Sequence, residues 1–135
     1  MTIRVTIRGV EKPFEKDIQN DLDWLCSCLG FCSETQQKTA SQVFKELIGE
    51  ISNGRKPSST ELSSEVGMSR GAVIHQLNRL AQAGLIRKEG RTYVLRGGSV
   101  YRTIKEVERD IMRVFEDLGA IALEIDEQLG FKRRA

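Results

Sequence analysis

A chain of 135 residues that is 39% hydrophobic and 30% charged has the size and make-up of one ordinary globular domain. Its 12 Gly and 2 Pro are too few and too scattered for a disordered or fibrous chain. No apolar run approaches the roughly 18 residues of a membrane-spanning helix. The opening MTIRVTIRGV lacks the apolar stretch of a secretory leader, so the expectation is a cytoplasmic chain with no membrane contact. Three cysteines are an odd number, which excludes a closed set of internal disulfides.

The net charge of +2 hides an uneven distribution. Residues 1–53 carry 6 Lys/Arg against 8 Asp/Glu, residues 54–98 carry 8 against 3, and residues 99–135 carry 7 against 8. The three balances are −2, +5 and −1, so the middle segment holds all the basic excess. A basic patch in an otherwise neutral chain fits a polyanion site or a solvated basic surface.

Along the chain, Ile3, Val5 and Ile7 alternate with Thr2, Arg4, Thr6 and Arg8, the period of a half-buried strand. It has no neighbouring hairpin partner and must pair at long range or with another chain. Pro13 suits a first helical turn. Phe14, Ile18, Leu22, Leu25 and Leu29 then predict an amphipathic helix over about 13–30, stopped by Gly30. Ala40, Val43, Phe44, Leu47, Ile48 and Ile51 predict a second helix, from Ser33 or Glu34 to Ser52, ended by Asn53-Gly54.

Ser58-Ser59-Thr60-Glu61 reads as a capping box opening a short helix that buries Leu62 and Val66 and breaks at Gly67. Ser69 caps the next helix, which runs to Ala83 before Gly84, with Val73, Leu77 and Leu80 as its inner stripe. Leu85–Lys88 and Arg91–Arg96 are strand-like runs, and Glu89-Gly90 between them reads as a hairpin turn.

Two short helices joined by a glycine turn and followed by a hairpin make a helix-turn-helix with a wing. The stretch PSSTELSSEVGMSRGAVIHQLNRLAQAGLIRKEGRTYVL resembles the winged-helix transcriptional regulators of the ArsR and MarR type, over about residues 40–96. SRGAVIHQLNRLAQAGLI looks like their recognition helix and its exit into the wing. The resemblance implies a DNA-binding fold and a homodimer.

A helix fits the major groove of B-DNA and offers its first turns to base edges and phosphates. With the inner stripe turned to the core, Arg70, Gly71, Ile74, His75, Asn78 and Gln82 point outward. Arg70 suits guanine or a phosphate, Asn78 suits adenine, and Ser69 combines a cap with a phosphate contact. Ile74 fits either a thymine methyl or the core. For His75, the single histidine, a DNA-facing role, an inert surface position and a metal-ligand role all remain open. Arg79, at the edge of the stripe, suits an ion pair better than a base but borders the same interface. Arg87, Lys88 and Arg91 flank the wing tip, where a hairpin reaches backbone or minor groove; a solvated turn is the plain alternative.

From Val100 the apolar positions follow an unbroken heptad seam: Val100, Ile104, Val107, Ile111, Val114, Leu118, Ile121 and Ile125. A helix of about 30 residues is roughly 45 Å long, more than the width of a winged-helix body. Dimerisation through this seam is the expectation, with an intramolecular packing helix as the alternative. Tyr101, Phe115, Ala122 and Leu129 widen the stripe on one side.

Cys26, Cys28 and Cys32 form C-x-C-x3-C at the end of the first helix. ArsR-type metal sensors often carry a Cys-x-Cys pair, but within the helix-turn-helix, where this one does not lie. Core packing, redox sensing and metal binding all fit three thiols, one short of a closed tetrahedral zinc site. No phosphate loop, paired histidine ligands or nucleophile–histidine pattern is present, so no enzyme, metal or cofactor is expected.

The fold expected is mainly α with a small β-hairpin wing. It divides into a strand–helix extension (1–32), a winged helix-turn-helix (33–98) and a coiled-coil-like dimerisation helix (99–135). The expected function is a homodimeric, sequence-specific regulator on double-stranded DNA, with residues 69–83 in the major groove and the wing 85–96 on backbone or minor groove. The residues name no effector. The alternative is a winged-helix protein-interaction module of a larger assembly that does not read DNA; an apolar outward face on the 69–82 helix would have favoured it.

Overall fold

A computed structural model describes residues 6–12, 17–30 and 36–132. Among these residues the architecture is helical with one antiparallel hairpin. Helix α1 spans Ile18–Cys28, and the Asp17 side chain caps it by accepting from the Gln19 amide at 2.8 Å. The expected start at Pro13 and the stripe residue Phe14 lie outside the described residues, and the described helix opens at this Asp17 cap. Of the expected stripe, Leu29 is buried and Leu22 and Leu25 are half-buried, but Ile18 is 72% exposed. The buried end of α1 is its last turns, where Cys26 joins the core.

Most of the expected N-terminal strand, Met1–Val5, lies outside the described residues, and residues 6–10 are not in a strand. Instead the Arg8 amide donates to the Cys28 carbonyl at 2.7 Å, and the Trp24 indole donates to the Val10 carbonyl at 2.8 Å. These two bonds tie the described N-terminal residues to α1.

Helix α2 (Gln36–Ser52) carries the central apolar face: Ala40, Val43, Phe44 and Leu47 are buried, and Ile48 and Ile51 pack at the margin. Helix α3 (Ser59–Val66) and helix α4 (Arg70–Gln82) pack on α2 and on each other. In the α3 capping box, Ser58 Oγ accepts from the Glu61 amide at 3.2 Å and donates to the Glu61 carboxylate at 3.1 Å. Leu62, Val73, Leu77 and Leu80 are fully buried, as their spacing predicts.

Strands β1 (Ile86–Glu89) and β2 (Thr92–Leu95) pair with Ile86 opposite Leu95 and Glu89 opposite Thr92. The turn residues are therefore Gly90 and Arg91, one position later than the expected Glu89-Gly90. Gly90 takes φ +63°, the left-handed conformation that tight hairpin turns require of their first residue. The shift puts Arg91 at the wing tip. A further rung ties the wing back to α3: Ser58 bridges Thr92, and the Tyr93 amide donates to the Pro57 carbonyl at 2.9 Å.

Helix α5 (Val100–Leu129) begins at Ser99, whose hydroxyl accepts from the Arg102 amide. The heptad seam divides here. Val107 is buried in the chain's own core, and Val100, Ile104 and Ile111 pack against it. Val114, Leu118, Ile121 and Ile125 are 49–57% exposed on the same face of the helix. The split follows from length: the first three turns lie over the body, and the remainder runs past it, about 27 Å at 1.5 Å per residue.

Arg96, just beyond β2, joins three elements. It pairs with Asp110 and lies 3.0 Å from the Glu106 carboxylate, both on α5, and it donates to the Gly84 carbonyl at the end of α4. The Arg96 hydrogen bond and charge hold the Asp110 carboxyl below its usual range, and Asp110 in turn strengthens the protonation of Arg96. Arg96 is 21% exposed and Asp110 8%, so water screens the pair only in part.

Two outcomes follow for this junction. A Cβ on Gly97 would come within 2.6 Å of the Arg102 carbonyl carbon and the Thr103 amide nitrogen, which are backbone atoms that cannot turn away. Gly97→Ala is expected to cost about 1–3 kcal/mol of stability, as overpacking does; denaturant unfolding with an unchanged midpoint would contradict this. Asp110→Asn is expected to lose about 1.5–3 kcal/mol at neutral pH, the range for hydrogen bonds to charged groups. Because the folded-state pKa is depressed, the stabilisation is present above the ordinary Asp value of about 3.9 and is lost as pH falls through the lower folded value. Wild type and variant should therefore converge in stability on the acid limb. Parallel pH profiles would contradict the assignment.

Candidate nucleic-acid interface

The interface is set by how α4 is held. The Ser69 hydroxyl accepts from the Ala72 amide at 3.2 Å and caps the start of the helix. Val73, Leu77 and Leu80 then face the core, and at 100° per residue the opposite positions are left in water. Gly71, His75, Asn78 and Gln82 are exposed, and Ile74 is half-buried at the margin. No atom lies within 4 Å of where a Gly71 side chain would begin, so this face has room for close approach.

One polar residue on the inner face was not anticipated. Gln76 is buried, and its Oε1 accepts from Arg79 Nη1 at 3.0 Å. Arg79 thus lies along the flank of α4, half-buried, and does not project from the outward face. The spacing 73, 76, 77, 80 places Gln76 on the inner face, but its polar side chain reads as solvated.

Arg87, Lys88 and Arg91 are all exposed on the wing. Arg87 donates to the Glu89 carboxylate at 3.3 Å, and Lys56 lies 3.7 Å from the same carboxylate. Lys88 and Arg91 turn the other way. They line an open recess of about 600 Å³ together with Arg70, Ser58, Ser59 and Thr60. Arg70 Nε donates to Ser59 Oγ at 3.4 Å, which turns its guanidinium toward the start of α3. The Pro57–Tyr93 rung brings the wing over the first turn of α3 and so closes the recess on one side. Three expected contact residues are thereby gathered in one place with the capping serines, whose hydroxyl run was read only as a helix start.

The remaining candidates separate. Cys26 is buried in the core and Cys28 is half-buried, while Cys32 lies outside the described residues. Among the described residues, no group of three His, Cys, Asp or Glu is placed to hold a metal ion, and no helix is long and apolar enough to cross a membrane.

The arrangement is an exposed helix face flanked by a basic hairpin, both mounted on one apolar core. Helices present such faces to the major groove, and a hairpin beside them reaches the neighbouring backbone. Residues 50–88, from the end of α2 through α3 and α4 into β1, match the family model described as bacterial regulatory protein, arsR family. Neither the curated proteins nor the solved structures searched gave a match. Over these residues the chain is similar to arsR-family regulatory proteins, and the matched stretch holds the two helices of the helix-turn-helix and the first strand of the wing.

Proposed function

We propose that the chain is a homodimeric, sequence-specific transcriptional regulator that sets α4 in the major groove and its wing on the adjacent backbone or minor groove. The observation that carries this reading is the coincidence of the arsR-family match with the exposed, polar outward face of α4. Asn78 and His75 are the side chains best placed to meet base edges, with Gly71 allowing close approach and Ile74 bordering them. Ser69, Lys88 and Arg91 serve the backbone, and Arg79 and Arg87 support the interface through their pairs with Gln76 and Glu89.

Dimerisation is proposed through the projecting part of α5. Val114, Leu118, Ile121 and Ile125, widened by Phe115 and Leu129, leave an apolar stripe in water. Soluble monomers rarely expose contiguous apolar patches beyond a few hundred Å², and each of these side chains is worth about 1.5–3 kcal/mol on full burial. Val100, Ile104, Val107 and Ile111 support the dimer indirectly, by fixing the helix to its own body. A two-fold pair presents two α4 helices to grooves roughly 34 Å apart or a multiple of that, so the operator is an inverted repeat.

Three measurements test this reading. Fluorescence anisotropy with duplex DNA should show affinity falling steeply and linearly on a log–log plot against salt, as phosphate counterions are released; no binding at low salt would refute it. On a selected operator, Asn78→Ala should cost about 1–3 kcal/mol while leaving binding to arbitrary DNA unchanged; equal losses on both would remove Asn78 from base reading. Sedimentation should give a dimer at micromolar concentration, and Leu118→Asp with Ile125→Asp a folded monomer that has lost operator binding. A monomeric wild type would contradict the proposal.

A further inference from the structure

The recess between α3, α4 and the wing gathers three positive charges, with the Glu61 carboxylate at its edge against Ser58 Oγ. Its lining is Ser58, Ser59, Thr60, Arg70, Lys88 and Arg91, three hydroxyls and three cations. The cations come from separate places: one opens α4, one lies on β1 and one sits at the wing tip. Three cations lining one recess favour an anion there. The neighbouring cations behave differently. Arg87 and Lys56 share the Glu89 carboxylate, and Arg96 is held by Glu106 and Asp110. Ser59, nearly buried, holds the Arg70 side chain by its hydroxyl, so the guanidinium is oriented before anything binds.

We infer that this recess binds a single phosphate group, with Arg70, Lys88 and Arg91 converging on the same anion. A planar guanidinium offers two parallel donors to phosphate oxygens, and an ammonium adds a mobile point charge. Arg70 is accordingly a phosphate ligand and not a reader of guanine. The phosphate group has two possible sources: a backbone phosphodiester of bound DNA, which rests on the DNA-binding reading above, or a free phosphorylated small molecule.

The test uses the full chain and the variant Arg70→Gln/Lys88→Gln/Arg91→Gln, with Arg91→Gln alone as a variant at an exposed turn that leaves the core untouched. Binding to an arbitrary duplex of roughly two helical turns is measured against salt. Each phosphate neutralised contributes about 0.9 to the slope of log K on log salt. If the three side chains share one phosphate, the triple variant lowers the slope by about 1, and Arg91→Gln alone lowers it by less. A fall of about 3 means three separate phosphates and overturns the inference.

In parallel, thermal unfolding is followed in inorganic phosphate and in chloride at matched ionic strength. The inference expects phosphate to raise Tm of the wild type and not of the triple variant. A changed DNA slope identifies the backbone as the source; an unchanged slope with loss of the phosphate-dependent Tm shift identifies a free ligand. If the variant changes neither, the site does not exist. Should the wild type fail to bind DNA at all, the Tm comparison still decides the site independently of the proposed function.

Discussion

The packing of one face of α4 against the core is the constraint on which the rest depends. Val73, Leu77 and Leu80 are fully buried in the same cluster as Val43, Phe44 and Leu47 of α2. Burying a Leu or Val is worth about 1.5–3 kcal/mol, more than any single solvent contact could return. A rotation of α4 about its axis would forfeit several of these burials at once. The helix therefore has one orientation, and with it one set of outward residues. Function at this surface is a consequence of what the core excludes.

The same core also places the wing and the long helix. Leu85, Ile86, Tyr93 and Leu95 bring the hairpin into the cluster, and Val107 brings α5. Polar links then remove the remaining freedom: the Pro57–Tyr93 rung holds the wing to α3, and Arg96 joins the end of α4 to α5. Helix α4, the wing and the helix proposed for dimerisation consequently share one core. In the proposed dimer, a change in how two α5 helices meet would be transmitted to the spacing of the two α4 helices. Charged residues near the junction serve this geometry, while those on the wing face outward.

Much of this was legible in the sequence because it is written locally. Caps at Ser58, Ser69 and Ser99 each use a side chain and an amide three residues apart, and the α2, α4 and α5 stripes repeat within a turn or two. What was missed depends on partners distant in the chain. Ile18 keeps the helical period yet lies beyond the reach of α2, and is exposed. The hairpin turn was placed one residue early, since register is decided by pairing across strands. Arg70 suited guanine or a phosphate on sequence alone, and only the buried Ser59 hydroxyl, eleven positions earlier, shows where its guanidinium turns. The α5 seam looked uniform because a heptad pattern carries no record of where the body beneath it ends.

The central claim is that DNA meets the outward face of α4 and the wing. The most direct measurement is a titration of the isotopically labelled chain with duplex DNA, following backbone amide resonances. The account predicts that the amides of Gly71, His75, Asn78, Gly90 and Arg91 shift together, while those of α1 and the projecting end of α5 stay in place. Shifts confined to α5 or α1, with α4 and the wing unmoved, would contradict it.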